Sequence, residues 1–152
     1  MKVEEKLQEL GIELPAVPSP VAAYVPAVKA GKWVYISGQL PFRQGKLAKT
    51  GKAGKEVTLE EAYAEARQCA INCLAALKSV AGDLDSVERI VKLTGFVASA
   101  EGFNDQPKVV NGASELIVQV FGDAGKHARA AVGVAELPMN AVVEVELIAH
   151  LK

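Results

Sequence analysis

Apolar residues recur at every third or fourth position in three segments of the chain, and this spacing predicts helices over 3–10, 59–80 and 109–121. A glycine follows each segment, as is common where a helix ends. The middle segment also has a start signal, because Thr58 and Glu61 stand three residues apart as in a capping box.

Runs rich in β-branched and aromatic residues predict five strands, over 24–28, 32–37, 86–97, 128–134 and 142–151. A short turn containing Gly31 separates the first two, so we expect them to pair antiparallel. Polar and apolar residues alternate in the last strand, which is typical of a strand with one covered face. We expect the last two strands to form a second antiparallel pair on either side of a break at Leu137 and Pro138.

The order ββαβαββ that follows the first helix predicts an α+β fold, a mixed sheet with two helices on one face. We expect a single domain over residues 1–152, in which 1–20 form an N-terminal helix and a proline-rich, extended lead-in. The other face of the sheet has no cover, yet several strands are apolar on both sides. A large exposed apolar face marks an interface, so we expect a homo-oligomer.

Composition and charge narrow the classes of function. The chain has 17 basic and 18 acidic residues, and a net charge of −1 gives no overall attraction to nucleic acid or to a membrane surface. No apolar run approaches the ~20 residues of a membrane span, and the start of the chain does not resemble a signal peptide. We therefore expect a cytoplasmic protein without a membrane partner.

The cysteines and histidines do not predict a metal site. Cys69 and Cys73 lie four residues apart on a predicted helix, where they would share one face as small hydrophobic residues. The two histidines, His127 and His150, lie far from them in sequence. Zinc sites usually need four such ligands, so we expect no metal.

The segment over 43–55 contains glycines and five cations, which predicts an exposed, mobile loop: Arg43, Lys46, Lys49, Lys52 and Lys55. It is only superficially similar to a phosphate-binding loop, since five rather than four residues separate Gly45 from Gly51. Ala53 also stands where Ser or Thr would bind magnesium. We expect no nucleotide site here and no nucleic-acid partner.

Arg129 is the strongest candidate for chemistry, because it interrupts the small, apolar strand over 128–134. A guanidinium in such surroundings needs an anionic or hydrogen-bonding partner, and its planar fork suits a carboxylate in two-point contact. The residues alone leave two interpretations open. The carboxylate belongs either to an internal acid, which gives a structural ion pair, or to a bound ligand.

Three blocks of the sequence resemble signatures of the Rid/YjgF family: Ser-Gly-Gln-Leu-Pro over 37–41, Ala-Arg-Ala-Ala-Val over 128–132, and Leu-Pro at 137–138 followed by Val-Glu-Val-Glu-Leu-Ile-Ala over 143–149. With Tyr24 and Asn111 also in register, the resemblance covers nearly all of 21–152. It implies a chorismate-mutase-like fold, assembled as a homotrimer with three clefts between subunits.

The resemblance also implies an activity, the hydrolysis of 2-imino acids such as 2-iminobutanoate and 2-iminopropanoate to 2-oxo acids and ammonia, without a cofactor. Arg129 would bind the substrate carboxylate, and Glu144 would position the attacking water or carry its proton. The remaining substrate-binding residues that it implies are Tyr24, Ser37, Asn111 and, through nearby backbone groups, Ala131. Small 2-imino or 2-oxo carboxylates are thus the expected partners.

Departures from the family pattern keep other functions open. Active members commonly have Arg-Ser-Cys where this chain has Arg129-Ala130-Ala131, the segment over 103–111 is longer, and the leading helix is an addition. These changes indicate a divergent subgroup. The alternatives are a non-catalytic trimer that binds a small carboxylate or has a regulatory role, and, with less support, an endoribonuclease.

The candidate residues have structural interpretations as well. Tyr24 would serve equally as an aromatic residue of a subunit interface, and Ser37 and Asn111 as hydrogen-bonding residues of a turn or a helix cap. Glu144 would simply be solvated if its strand lay at the edge of the sheet.

Overall fold

The computed structural model describes residues 2–19 and 22–152. Its helices and strands follow one another in the order α1 (Lys2–Glu9), β1 (Ala27–Ala30), β2 (Trp33–Gln39), β3 (Phe42–Arg43), β4 (Lys46–Leu47), α2 (Leu59–Ala81), β5 (Val87–Ala98), α3 (Gln106–Phe121), β6 (Ala128–Val134) and β7 (Val143–Leu151). Short 3₁₀ turns cover 84–86, 122–125 and 138–140. All the predicted helices and strands are present, and the hairpin β3–β4 was not predicted.

The helix boundaries follow the signals in the sequence closely. At the start of α2, the Thr58 hydroxyl accepts a hydrogen bond from the Glu61 amide at 3.1 Å, and the Glu61 carboxylate accepts one from the Thr58 amide at 3.0 Å. The predicted capping box is therefore confirmed. The helix ends at Gly82, whose φ of 80° only glycine adopts at low cost. Helix α3 begins three residues earlier than the periodicity predicts, with Pro107 in its first turn.

The main sheet has the strand order β1-β2-β7-β5-β6. Strands β1 and β2 form the predicted antiparallel hairpin, β7 pairs antiparallel with both β2 and β5, and β6 is parallel to β5. The prediction that the last two strands pair with each other is wrong. Because α3 makes a crossover connection, it returns β6 parallel to β5 at the sheet edge, and β7 fills the gap between β5 and β2.

The core lies between one face of the sheet and the two long helices. Inward-facing residues such as Val34, Leu93 and Leu147 are at most 2% exposed. Helix α2 packs on β1, β2 and β7, while α3 packs on β5 and β6, so the prediction of two helices on one face is confirmed. Helix α1 contacts α3 and the 84–86 turn, with Val3 and Leu7 buried.

The opposite face of the sheet, which we call the open face, is not covered by any helix or strand among the described residues. Large apolar side chains on it remain 43–50% exposed: Val28, Trp33, Tyr35 and Val132. They share the face with polar side chains, because Glu144 and Glu146 alternate with the buried residues of β7. This arrangement matches the uncovered, partly apolar face expected from the sequence.

Most residues over 43–55 are exposed, as the sequence predicts, but the segment also contains structure that was not predicted. It begins with the hairpin β3–β4, whose two turn residues both have positive φ, as in a type I′ turn. Thr50 then pairs with Ala141, and Ala53 is fully buried, with its amide donating to the Ala98 carbonyl at 2.8 Å. Since Ala53 is small, the chain can pack directly against the end of β5.

Two strand boundaries also differ from the prediction. Strand β1 begins at Ala27 rather than at residue 24, because Pro26 has no amide hydrogen to donate to a sheet. Tyr24 consequently precedes the strand. The hairpin turn consists of Gly31 and Lys32, whereas the predicted strand bounds place it at 29–31. In the part of the chain that the structure describes, no helix is long and apolar enough to cross a membrane.

Candidate functional site

Arg129 lies on the edge strand β6, opposite Leu93 of β5, and its side chain points to the helix-covered face. Its Nη1 donates to Asn111 Oδ1 at 2.8 Å and to Ser114 Oγ at 3.2 Å. Both acceptors belong to α3 and, being three residues apart, share one side of the helix. The guanidinium is thereby held at the junction between α3 and the sheet.

No acidic residue forms an ion pair with Arg129 within 2–19 and 22–152. Its hydrogen-bond partners, Asn111 and Ser114, are both uncharged. The interpretation of Arg129 as half of an internal salt bridge is therefore wrong for the described chain. A half-buried guanidinium without a counter-charge is well suited to an anionic ligand.

An open depression of about 260 Å³ adjoins this guanidinium, and it is lined by Ser114, Val118, Lys126, His127 and Arg129. A second depression of about 450 Å³ shares Ser114 and Val118 with the first, and Glu115 and Gln119 complete its lining. The two therefore adjoin each other along α3. Their size leaves room for a small carboxylate beside Arg129.

The sequence reasoning missed Ser114 and His127. His127 lies two residues before Arg129, and its Nε2 is 2.9 Å from Ser114 Oγ, while its Nδ1 is 2.6 Å from the Gly125 carbonyl oxygen. Helical spacing could have identified Ser114, which stands one turn after the predicted Asn111. Strand alternation could have identified His127, which shares the parity of Arg129.

The other predicted residues gather at a different place, around the end of β2. The Ser37 hydroxyl donates to the Val25 carbonyl at 2.6 Å, which ties the segment next to Tyr24 to that strand. Tyr24 itself is 70% exposed. Gly38 lies directly under Glu144, since a Cβ added to this glycine would be only 2.5 Å from Glu144 Oε2. Tyr24, Ser37 and Glu144 thus mark one neighbourhood.

Glu144 lies on the central strand β7, so the interpretation that it is solvated on an edge strand is wrong. Partial burial raises the pKa of its carboxyl group, and the nearby negative charge of Glu146 raises it further. A carboxyl group with a raised pKa is better able to exchange a proton near neutral pH than an ordinary glutamate.

Within one chain, Glu144 and Arg129 are on opposite faces of the sheet. Glu144 pairs with Phe96, and Phe96 pairs with Val132, which lies three residues after Arg129. An odd separation along a strand places two side chains on opposite faces. The structure therefore brings Asn111 to Arg129, with Ala131 on the same face, but it does not bring Glu144 there.

The two cysteines are buried in α2, as the helical spacing predicted. The Cys69 and Cys73 thiols face the backbone carbonyl oxygens of Val143 and Val145, at 3.7 and 3.5 Å. Burial raises the pKa of both thiols, which keeps them protonated and unreactive. Across the described residues, no group of three or more His, Cys, Asp or Glu side chains is placed to hold a metal ion.

Comparison with known proteins identifies relatives along nearly the whole chain. The family model described as "YjgF/chorismate_mutase-like, putative endoribonuclease" matches residues 4–151. Protein TCP17 of Trypanosoma cruzi is 46% identical over 151 residues, which cover 99% of this chain and 94% of that protein. A 2-iminobutanoate/2-iminopropanoate deaminase of Dermatophagoides farinae is 34% identical over 137 residues, covering 90% of this chain and 92% of its own length.

Among solved structures, protein Atu1372 of Agrobacterium tumefaciens, described as having unknown function, has a TM-score of 0.91. It is 47% identical, and the match covers 99% of this chain and 94% of that one. The architecture described above is thus shared with a crystal structure over nearly the whole chain.

Proposed function

The chain belongs to the YjgF/chorismate mutase-like family, and from that premise we propose that it hydrolyses 2-imino acids to 2-oxo acids and ammonia, with Arg129 binding the substrate carboxylate. The observation that carries this proposal is the guanidinium of Arg129, which faces an open depression and has only neutral partners among the described residues. A carboxylate in two-point contact would supply the missing counter-charge. The 34% identical relative named as an imine deaminase supports the same chemistry.

The reaction adds water across the imine double bond. A water oxygen attacks the imine carbon while the nitrogen gains a proton, and the resulting carbinolamine expels ammonia to leave the 2-oxo acid. Glu144 is the candidate for moving the protons, because its raised pKa suits a group that must both take and return one. Backbone groups near Ala131, on the same face as Arg129, would orient the imine nitrogen.

This scheme requires more than one copy of the chain, because Glu144 and Arg129 occupy opposite faces of one sheet. We propose a homotrimer in which the depression beside Arg129 of one subunit packs against the open face of the next subunit. Each cleft between subunits would then contain Arg129 of one copy and Glu144 of its neighbour. The exposed Trp33, Tyr35 and Val132 on that face favour such burial. Sedimentation at micromolar concentration should give a trimer, and a monomer would rule out the shared cleft.

The activity test generates 2-iminobutanoate in place and measures release of 2-oxobutanoate and ammonia. The protein should accelerate release above the spontaneous rate, and Glu144→Gln should lose most of the acceleration because an amide cannot exchange the proton. Wild-type protein that gives no acceleration as a folded trimer would contradict the proposed activity.

A second candidate function is non-catalytic binding of a small carboxylate, as a sensor or regulatory trimer. It is favoured by Ala130 and Ala131, which offer no polar side chain next to Arg129. Calorimetry with 2-oxobutanoate separates the two functions, since a pure binder would take up the carboxylate in an Arg129-dependent manner and show no turnover.

An endoribonuclease function has less support from the geometry. Four of the five cations between residues 43 and 55 form ion pairs with acids of the same chain, which reduces the charge available to phosphate: Arg43 with Glu65, Lys49 with Glu61, Lys52 with Glu136, and Lys55 with Glu56. An RNA cleavage assay run beside the imine assay should therefore show no activity.

A further inference from the structure

We propose that Ser114 and His127 are positioning residues, which hold the Arg129 guanidinium so that its Nε and Nη2 edge faces the ligand. This inference rests on the proposed binding of a carboxylate by Arg129. It concerns a chain of hydrogen bonds that runs from the Gly125 carbonyl through both residues to the guanidinium.

The direction of each hydrogen bond in this series follows from the group at its start, the Gly125 carbonyl. The Gly125 carbonyl oxygen can only accept, so His127 Nδ1, 2.6 Å away, must bear the proton. In a neutral imidazole the other nitrogen then has a lone pair. In this neutral form, His127 Nε2 accepts from the Ser114 hydroxyl at 2.9 Å, and the Ser114 oxygen keeps its own lone pairs for the Arg129 Nη1 donor at 3.2 Å.

These bonds decide which edge of the guanidinium is free. Nη1 has two hydrogens, and Asn111 Oδ1 and Ser114 Oγ accept one each. Within 2–19 and 22–152, the donors left over are on Nε and Nη2, which lie side by side with nearly parallel N–H bonds. That edge is the fork that matches both oxygens of a carboxylate.

Positioning of this kind affects binding because a long side chain loses conformational freedom when it binds a ligand. Arg129, Ser114 and His127 line the same 260 Å³ depression, so the hydrogen bonds order the guanidinium where the ligand would arrive. An arginine fixed in advance pays less of that entropy cost at the binding step. Without these hydrogen bonds, the Nε and Nη2 edge of the Arg129 guanidinium would sample several directions.

The binding test compares variants that break the series of hydrogen bonds between Gly125 and Arg129 with variants that keep it. Ser114→Ala removes the acceptor for Nη1 and should weaken 2-oxobutanoate binding and raise KM about tenfold, with kcat within about twofold of wild type. Ser114→Thr keeps the hydroxyl and should restore most of the affinity. His127→Phe should lose about threefold, while His127→Gln, which offers an amide oxygen near the Nε2 position, should not. Ser79→Ala, at a serine that bonds within α2, is the matched control.

The second measurement is nitrogen-15 NMR of the histidine ring and the arginine side chain in the intact protein without ligand. His127 should be the Nδ1-protonated tautomer, and rotation of the Arg129 guanidinium should be faster in Ser114→Ala than in wild type. A proton on His127 Nε2 with Nδ1 bare, or equal rotation in the two proteins, would overturn the inference. Because this readout needs neither substrate nor turnover, it decides the positioning role even if the imine assay is negative.

Discussion

Replacing Arg129 by alanine separates a ligand-binding arginine from a structural one. In the structure its partners are the side chains of Asn111 and Ser114, which are uncharged and half-buried beside an open depression. Water can reach both acceptors once the guanidinium is gone. The variant therefore strands no buried charge, and most of its defect should appear in activity.

The two outcomes differ in magnitude. Two partly solvated hydrogen bonds to neutral acceptors correspond to about 1–2 kcal/mol of unfolding free energy, which lowers Tm by roughly 2–8 °C in a chain of this size. A stranded buried acid would instead cost about 3–5 kcal/mol, or roughly 6–20 °C. Losing a two-point carboxylate contact should reduce kcat/KM by about two to four orders of magnitude.

The assay measures thermal unfolding, sedimentation and imine hydrolysis on the same preparations of wild type, Arg129→Ala and Arg129→Lys. Lysine keeps the charge but not the fork, so it should recover the stability and only a small part of kcat/KM. Arg67→Ala, on α2, is the control for loss of an arginine outside the depression. A folded Arg129→Ala trimer with kcat/KM within threefold of wild type would refute the assignment of Arg129 to the substrate.

Three further predictions follow from other parts of the fold. Arg43→Gln should destabilise the protein by about 1–3 kcal/mol in urea unfolding, because Glu65, only 3% exposed, then loses its cation; Lys46→Gln in the same hairpin should have no such effect. Folding favours the neutral form of Glu144, because partial burial raises its pKa above the ordinary value of 4.5. The contribution of neutral Glu144 to the free energy of unfolding is present below pH 4.5 and is lost as the pH rises through the raised pKa. Glu144→Gln should therefore be more stable than wild type at pH 7 and lose this advantage in acid. A parallel pH dependence of stability in the two proteins would contradict the burial effect. Gly112→Ala places a Cβ against the backbone of α2, so it should lower the free energy of unfolding by about 1–3 kcal/mol. It should also weaken 2-oxobutanoate binding, because the neighbouring residues of α3 are displaced. An unchanged Tm would show that the two helices can move apart without cost.

Much of the fold was determined by local features of the sequence. The capping box at Thr58 and Glu61 and the stop at Gly82 fixed the ends of α2, because these signals act on backbone groups within one helical turn. The alternation in β7 correctly predicted that one face of the strand is buried. The motif around Arg129 pointed to the family, and the family model confirms that identification.

Local patterns do not specify which strands become neighbours. The alternation in β7 is the same whether the strand lies beside β6 or, as in the structure, between β2 and β5. The hairpin β3–β4 was missed for a related reason. Its charged residues are typical of a solvated loop. Only the tertiary structure shows that the segment is held against α2, through the ion pair of Arg43 with Glu65 and the hydrogen bond from Asn72 Nδ2 to the Phe42 carbonyl at 3.1 Å.

The candidate site, like the fold, was determined partly by the sequence alone and partly by the tertiary structure. The sequence by itself selected Arg129, Asn111 and Glu144, because their residue types and order match the family pattern. Only the tertiary structure decided that Asn111 and Ser114 hold the guanidinium while Glu144 lies across the sheet from it. The physical reason is that the face of a side chain depends on strand register, and register is set by packing between segments distant in sequence.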